Sequence, residues 1–533
     1  MAPPRTAPQP RATWRAAADP RRIAPTAVAA ALALVYLIWQ PASLDLAAAE
    51  YRAWLFGHAG FAIWDLQWYG GHHLPGYSVI APPLAHWLGP RLLGALAIVA
   101  AAWLFERIAW EQFGTDAWLG ATWFALGAAA TLFSGRIPFA LGLVPALAAV
   151  LALQRQRRAP AIALALLTAL ASPVAALFLA LAGAAYALAT RRALGLALAA
   201  AALAPVALLA LAFPEGGSEP FVFSAFWPVV VAPLALAIAL PREQRVVRIA
   251  AVLYALLALA VFVVATPVGG NAARLGQMCA GPVAALALWP RRRLAFACLA
   301  PFLLWWQLGP AIRDVHLAQG DPSVHAAYYA PLLAELHARG ANGADGRIEI
   351  PFTKVHWETR HVAPALPLAR GWERQLDREV NAPFYAGTPL TPAHYRAWLD
   401  RMAVHWVAVP DVPLDYSARE EAGLIERGLP YLREIWHGAH WRLYTVADPA
   451  PLADPPARVL AAGTDSLTLA APRVGTIGLR VRWSPYWAVT RGDACVEAAG
   501  GWTRVRVRQP GTVRLAMRFS PLRIGAHTAR CGI

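Results

Sequence analysis

From Ile23 to about residue 310 the chain alternates apolar runs with short polar breaks, and the runs approach the ~20 residues that cross a bilayer as a helix. The first run is Ile23–Trp39, and a second begins near Val79 and ends by Phe105, before Glu106, Arg107 and Glu111. A third covers about 117–133 and leads through the tight loop Ser134-Gly135-Arg136-Ile137-Pro138 into a fourth that ends at Leu153. The piece 159–190 is too short for two full spans and carries Ser172-Pro173 at its middle. That pattern predicts a hairpin of two short helices, a break tolerated where it borders a cavity. Further spans are expected at roughly 193–213, 225–240, 248–265, 275–289 and 294–309, which makes about eleven.

Beyond residue 310 the spacing of apolar positions changes. In 311–446, helical patterns (Ala330–Arg339, Pro392–Met402) alternate with short strand-like runs (Arg347–Ile350, Val404–Val409, Trp441–Val446), which predicts a small α/β domain. In 457–533 the period is two: Ser466–Leu469, Thr476–Trp483, Val505–Arg508 and Val513–Phe519 read as strands separated by Gly and Pro. A β-sandwich is expected there.

Composition agrees with a membrane protein. Of 533 residues 58% are hydrophobic and 15% charged, too apolar for an ordinary soluble chain. The net charge of +16 does not mark a nucleic-acid binder, because the arginines cluster in the short breaks: Arg155, Arg157, Arg158; Arg191, Arg192; Arg242, Arg245, Arg248; Arg291, Arg292, Arg293. Cytoplasmic loops carry such an excess. With residues 1–22 as a disordered cytoplasmic N-terminus and an odd number of spans, everything after residue 310 falls outside the cell membrane. Arg21 and Arg22 before the first run also fit a signal peptide. The later spans favour an uncleaved helix, and cleavage within Ala47–Ala49 would remove Asp45. Cys279 and Cys298 lie in apolar runs, whereas Cys495 and Cys531 form an isolated pair expected to join as a disulfide in an external domain.

The chemistry concentrates in the external loop 41–78. Asp45, Glu50 and Asp65 sit beside the bilayer with His58, His72, His73 and a Gly70-Gly71 turn, and carboxylates there are costly unless solvated, paired or used. A helix on the membrane surface is expected around Ala47–Phe56. The order Asp45, Trp64, Gly70-Gly71, Gly76-Tyr77, Pro82-Pro83-Leu84 resembles bacterial membrane proteins of the GT-C glycosyltransferase superfamily. Within that superfamily the pattern is closest to an uncharacterised group labelled 6-pyruvoyl-tetrahydropterin synthase-related. Ser78 replaces a proline usual in that pattern, and Glu50 stands where relatives often carry histidine. Ser134–Gly142, Ala171–Phe178 and Gly269–Leu275 resemble further loops of the same proteins.

The resemblance implies transfer of a sugar from a polyprenyl-phosphate donor, at the outer membrane face, to an envelope glycan, lipid or protein acceptor. It places the general base in the first external loop. Asp45 is then the catalytic carboxylate, with Glu50 assisting and Asp65 as the alternative base. Arg136 and Arg274, on external loops, are candidates for the phosphate; His72, His73 and Tyr77 are candidates for sugar or phosphate, and the histidines for a divalent metal ion. Asp45, Glu50, Arg136 and Arg274 are expected to converge on one outward-facing cavity. Membrane lipids are the other expected partners, and nucleic acid is not one. A transporter of a lipid or envelope precursor, or a non-catalytic sugar-binding assembly protein, would share this topology.

Overall fold

The structure, a computed structural model, describes residues 19–289 and 292–531. Residues 1–18 of the expected N-terminal tail, and Arg291 of the last arginine cluster, lie outside the described residues. The tail is shorter than expected: Pro20, Arg21 and Arg22 already form the first turn of helix α1 (Pro20–Trp39). Asp19 caps that turn by accepting from Arg21 N, and Pro20 occupies a position where a missing N–H costs nothing.

Helix α2 (Leu44–Ala59) forms the first loop's backbone. It is longer than the expected surface helix and is not exposed; Leu46–Ala49, Tyr51, Arg52, Ala53 and Leu55 are buried. Two-residue strands β1 (Trp64–Asp65) and β2 (His72–His73) pair antiparallel around the Gly70-Gly71 turn. Gly71 has φ +118°, and a Cβ there would lie 2.3 Å from the Trp64 ring, so only glycine closes this turn.

The expected second span is two helices, α3 (Ala81–Leu88) and α4 (Pro90–Phe113), because Gly89 takes φ +80° and Pro90 starts a new helix. Glu106, Arg107 and Glu111 do not end it; Glu106 is buried within α4 and accepts from Arg22 at 3.1 Å. Then come α5 (Ala117–Phe133), α6 (Ile137–Gln154), α7 (Arg158–Ala171), α8 (Pro173–Thr190), α9 (Ala193–Ala212), α10 (Phe223–Ala239), α11 (Arg245–Val263), α12 (Ala273–Leu288) and α13 (Arg293–Ala318). The α7–α8 break falls at Ser172, whose hydroxyl caps α8. Among the described residues seven stretches are long and apolar enough to cross a membrane: α1, the 90–133 stretch that joins α4 to α5, α6, α8, α9, α11 and α13. The chain is therefore a mostly helical, membrane-embedded protein with a sheet-rich C-terminal region. α13 runs on through Pro310 to Ala318, past the expected domain boundary.

Helices α14 (Ala326–Ala338), α15 (Glu358–His361), α16 (Arg374–Val380), α17 (Pro392–Arg401) and α18 (Arg419–Glu426) surround a four-stranded sheet. Its order is β3 (Arg347–Glu349), β4 (Val404–Pro410), β6 (Trp441–Val446), β5 (Leu432–His437). Only the β3–β4 pair is parallel. Two further four-stranded sheets face each other over Leu467, Leu469, Val481, Trp487, Val505 and Leu515. One contains β7 (Arg458–Ala462), β8 (Ser466–Ala471), β10 (Trp487–Arg491) and β13 (Gly511–Met517); the other β9 (Gly475–Arg482), β11 (Ala494–Ala499), β12 (Trp502–Val507) and β14 (Arg530–Cys531). Cys495 and Cys531 are opposed in register on β11 and β14 and joined by a disulfide.

Candidate functional site

The N-terminus of α2 is where distant segments meet. Ser43 takes the N-cap position, so Asp45 stands in the first turn, beside the positive end of the helix dipole, and is not itself the cap. The α5–α6 turn presses against this end. Gly135 has φ +75°, and a Cβ on it would lie 2.5 Å from Leu46 N and Ser43 Oγ. That close approach brings Arg136 alongside, and its Nε lies 3.5 Å from Asp45 Oδ2. The pair is partly exposed, with 34% of the Asp45 side chain accessible.

Arg274 comes from the start of α12 and lies against the Phe139 ring, 5.5 Å from its centroid. Arg136 and Arg274 line one recess with Ser134, Gln277, Gln307 and Pro310. Its volume is about 20 Å³, room for a single water. Asp45 is not among the residues that line it, so the expected outward-facing cavity shared by Asp45, Glu50, Arg136 and Arg274 is not formed here. The C-terminal region covers the end of α2 instead. Trp357 Nε1 donates to Ser43 O at 3.2 Å and Trp372 Nε1 to Leu44 O at 3.1 Å.

A third segment completes the cluster. Residues 214–222 are laced to 266–270 by Glu219 N to Thr266 O at 3.0 Å and Gly270 N to Pro220 O at 3.3 Å. The Glu219 carboxylate thereby faces Arg374, Arg274, Asp45 and Arg378. Among the described residues no hydrogen bond or ion pair engages it. Burial pushes its pKa up to about 7, against the lowering charges of Arg374 and Arg274.

Other expected site residues go elsewhere. Glu50 lies on a different face of α2 from Asp45, since five residues rotate a helix by about 140°. It sits 3.8 Å from Arg91 and 3.7 Å from Arg360 and does not line the recess. Asp65 is fully buried, accepting from Tyr51 OH at 2.9 Å and from Gln67 N at 2.9 Å. Burial raises its pKa to about 7, and no acceptor hydroxyl reaches it. It holds the turn after β1.

His72 is fully buried, stacked on Trp68 at 5.6 Å, and burial pushes its pKa down to about 3. His73 Nδ1 lies 2.8 Å from Glu215 Oε1 and its Nε2 lies 3.0 Å from Ser484 Oγ. Arg482 reaches the same Glu215 at 3.3 Å. His73 therefore fastens the first loop to the β-sandwich, whereas neither ring nitrogen of His72 has a hydrogen-bond partner among the described residues. Among the described residues no group of three His, Cys, Asp or Glu side chains is placed to hold a metal ion. Tyr77 lies under Arg52, 3.8 Å from the guanidinium carbon to the ring centroid, and Arg52 is in turn paired with Glu373.

Glu219, Arg374 and Arg378 were missed by sequence reasoning. Glu219 lies among Gly, Ser and Pro with no motif spacing, and Arg374 and Arg378 belong to a domain distant in sequence. The chain matches no protein-family model and no curated protein.

Proposed function

We propose that the protein is a membrane glycosyltransferase that moves a sugar from a polyprenyl-phosphate donor to a cell-envelope acceptor on the outer face of the membrane. The observation that carries this reading is the convergence of Asp45, Arg136 and Arg274 from three separate segments at one helix end. Nothing local in the sequence would bring them together. Asp45 takes the proton of the acceptor hydroxyl as its oxygen bonds to the anomeric carbon. The bond from that carbon to the phosphate oxygen breaks, and its electron pair leaves with the lipid phosphate. Arg136 and Arg274 supply the donors that stabilise this anion. A guanidinium has five N–H groups, so Arg136 can keep Asp45 while turning others to phosphate. The direct test is transfer by the purified protein from a polyprenyl-phosphate sugar.

The orientation is part of the proposal: about eleven spans, the N-terminus inside, and residues after the last span outside. The arginine clusters support it, together with the disulfide in the β-sandwich. Reporter fusions after Arg157 and after Gly463 are expected to report opposite sides of the membrane. The same side for both would remove the external site and the enzyme with it.

Glu219 gives this site a pH dependence. Its carboxyl is neutral below about pH 7 and charged above. When charged it competes with phosphate for Arg274. The KM for the lipid donor is therefore expected to rise as pH climbs through 7, and Glu219→Gln should flatten that rise. A pH-independent KM in the unaltered protein would remove Glu219 from the donor site.

A further inference from the structure

A ligand-sized hollow lies away from Asp45, at the seam between the α/β domain and the β-sandwich. Its volume is about 530 Å³, inside the ~300–1,000 Å³ range of ligand sites. Its floor is the outer face of the β9–β12 pair, where side chains alternate in and out. Thr476 and Arg480 point outward from β9, Trp502 and Arg504 from β12, and Arg401 at the end of α17 and Asp454 form the walls.

Gly478, between Thr476 and Arg480 and opposite Arg504, keeps the floor open. A Cβ there would lie 2.4 Å from Asp454 Oδ2, so the acid occupies the space a side chain would fill. Asp454 and Arg480 are fixed as a pair at 3.0 Å, and Arg480 also donates to Asp400 O at 3.1 Å and Pro451 O at 2.8 Å. The remaining cations are less firmly held. Among the described residues Arg401 has no hydrogen-bond or ion-pair partner. Arg504 is exposed and lies 3.7 Å from Glu497, which Arg506 already holds at 3.0 Å. The lining carries three arginines against one aspartate, a net charge of +2. Trp502 is half-buried; it packs toward Gly70 on one side and lines the hollow on the other.

We infer that this groove binds an acidic saccharide, a short run of sugars bearing carboxylates. An indole at the end of a flat sheet face offers a stacking surface for the C–H face of a pyranose. Asp454 and the Thr476 hydroxyl accept and donate to sugar hydroxyls. Arg401 is unpaired among the described residues and Arg504 is held only loosely by Glu497 at 3.7 Å, so both can turn to fork onto carboxylates, the geometry guanidinium favours. A neutral sugar would leave both arginines unused. The inference does not depend on the reading of the Asp45 site.

Calorimetric titration of the full-length protein in detergent with trigalacturonate, maltotriose and a short oligothymidylate tests it. Trigalacturonate is expected to bind, more weakly at high salt, and at least about 10-fold tighter than maltotriose. The Arg401→Ala/Arg504→Ala double variant should lose at least about 10-fold in trigalacturonate affinity with its thermal melt unchanged. If that variant melts early, Thr476→Glu, which sets a like charge on the exposed floor, should weaken binding to a similar degree. Absence of trigalacturonate binding, equal binding of maltotriose, or full affinity in a folded variant would overturn the inference. Tighter binding of the oligothymidylate would overturn it in favour of a polyanion surface.

Discussion

Asp45→Asn is expected to leave the protein folded and to reduce sugar transfer by a factor on the order of 10²–10⁴, the usual contribution of a positioned general base. The two side chains have the same shape, but the amide cannot take the acceptor's proton. The fold should tolerate the change. The carboxylate is partly exposed and its contact with Arg136 is a loose 3.5 Å, so the ion pair contributes at most about 1 kcal/mol. Ser43, not Asp45, holds the N-cap position, so the helix end keeps its geometry. Single-turnover transfer from a polyprenyl-phosphate sugar, beside a thermal melt of the same preparation, separates the two effects. Full activity in the variant would exclude Asp45 as the base. Asp65 would not then inherit the role, because it is sealed between Tyr51 and the Gln67 amide. Glu219, unpartnered and facing the same cluster, would be the carboxylate to test next.

The parts of this molecule that were legible in the sequence are those set by periodicity. Apolar runs between arginine clusters placed the helices, and the period of two between 466 and 519 placed the central strands β8, β9, β12 and β13. Strands without clean alternation were missed. β5 carries Arg433, Glu434 and His437 beside apolar residues, and β14 is two residues long. The site was legible only where a short motif also fixed a backbone constraint. Gly135 had to be glycine for the turn to reach α2, and Arg136 follows it directly. Glu50 was misplaced because five residues of helix turn it away from Asp45, and its partners Arg91 and Arg360 cannot be read from spacing. Nothing in the sequence announces that Ser484 and Glu215 pack onto His73, or that His72 is buried against Trp68.

The largest effect on stability is expected at Arg370, whose removal should cost about 3–5 kcal/mol, the range for breaking a buried pair from one side. Its side chain is 1% exposed. The guanidinium lies between the rings of Phe352 and Phe384, 4.0 and 4.2 Å from their centroids. It donates to Asp377 at 2.7 and 3.3 Å and to Ser417 Oγ at 3.1 Å, with Glu421 at 3.6 Å beyond. Glu349 and Glu421 are buried together, and burial pushes both carboxyls up, Glu349 further through the charge of Glu421 and Glu421 through that of Asp377. Arg370→Met fills the space between the rings but leaves Asp377 without its cation. The sign of the pH dependence follows. A carboxyl raised in the folded state keeps a proton that the unfolded chain releases, so it favours folding at low pH and opposes it as pH rises toward the folded pKa. Without Arg370, whose charge holds them down, the Glu349 and Glu421 carboxyls rise further, so the penalty should be larger at pH 8 than at pH 5. Urea unfolding at the two pH values, on the single variant and on Arg370→Met/Asp377→Asn, measures this; the second change should recover part of the loss. A penalty below about 1 kcal/mol, or one independent of pH, would show that the arginine is not what holds this cluster. The consequence reaches the membrane side. Asp377 lies on α16 with Arg374, itself two residues beyond Trp372, so the same ion pair fixes the segment that roofs the α2 N-terminus. Residual transfer activity should therefore fall in step with the loosening of this roof, before the transmembrane helices themselves melt.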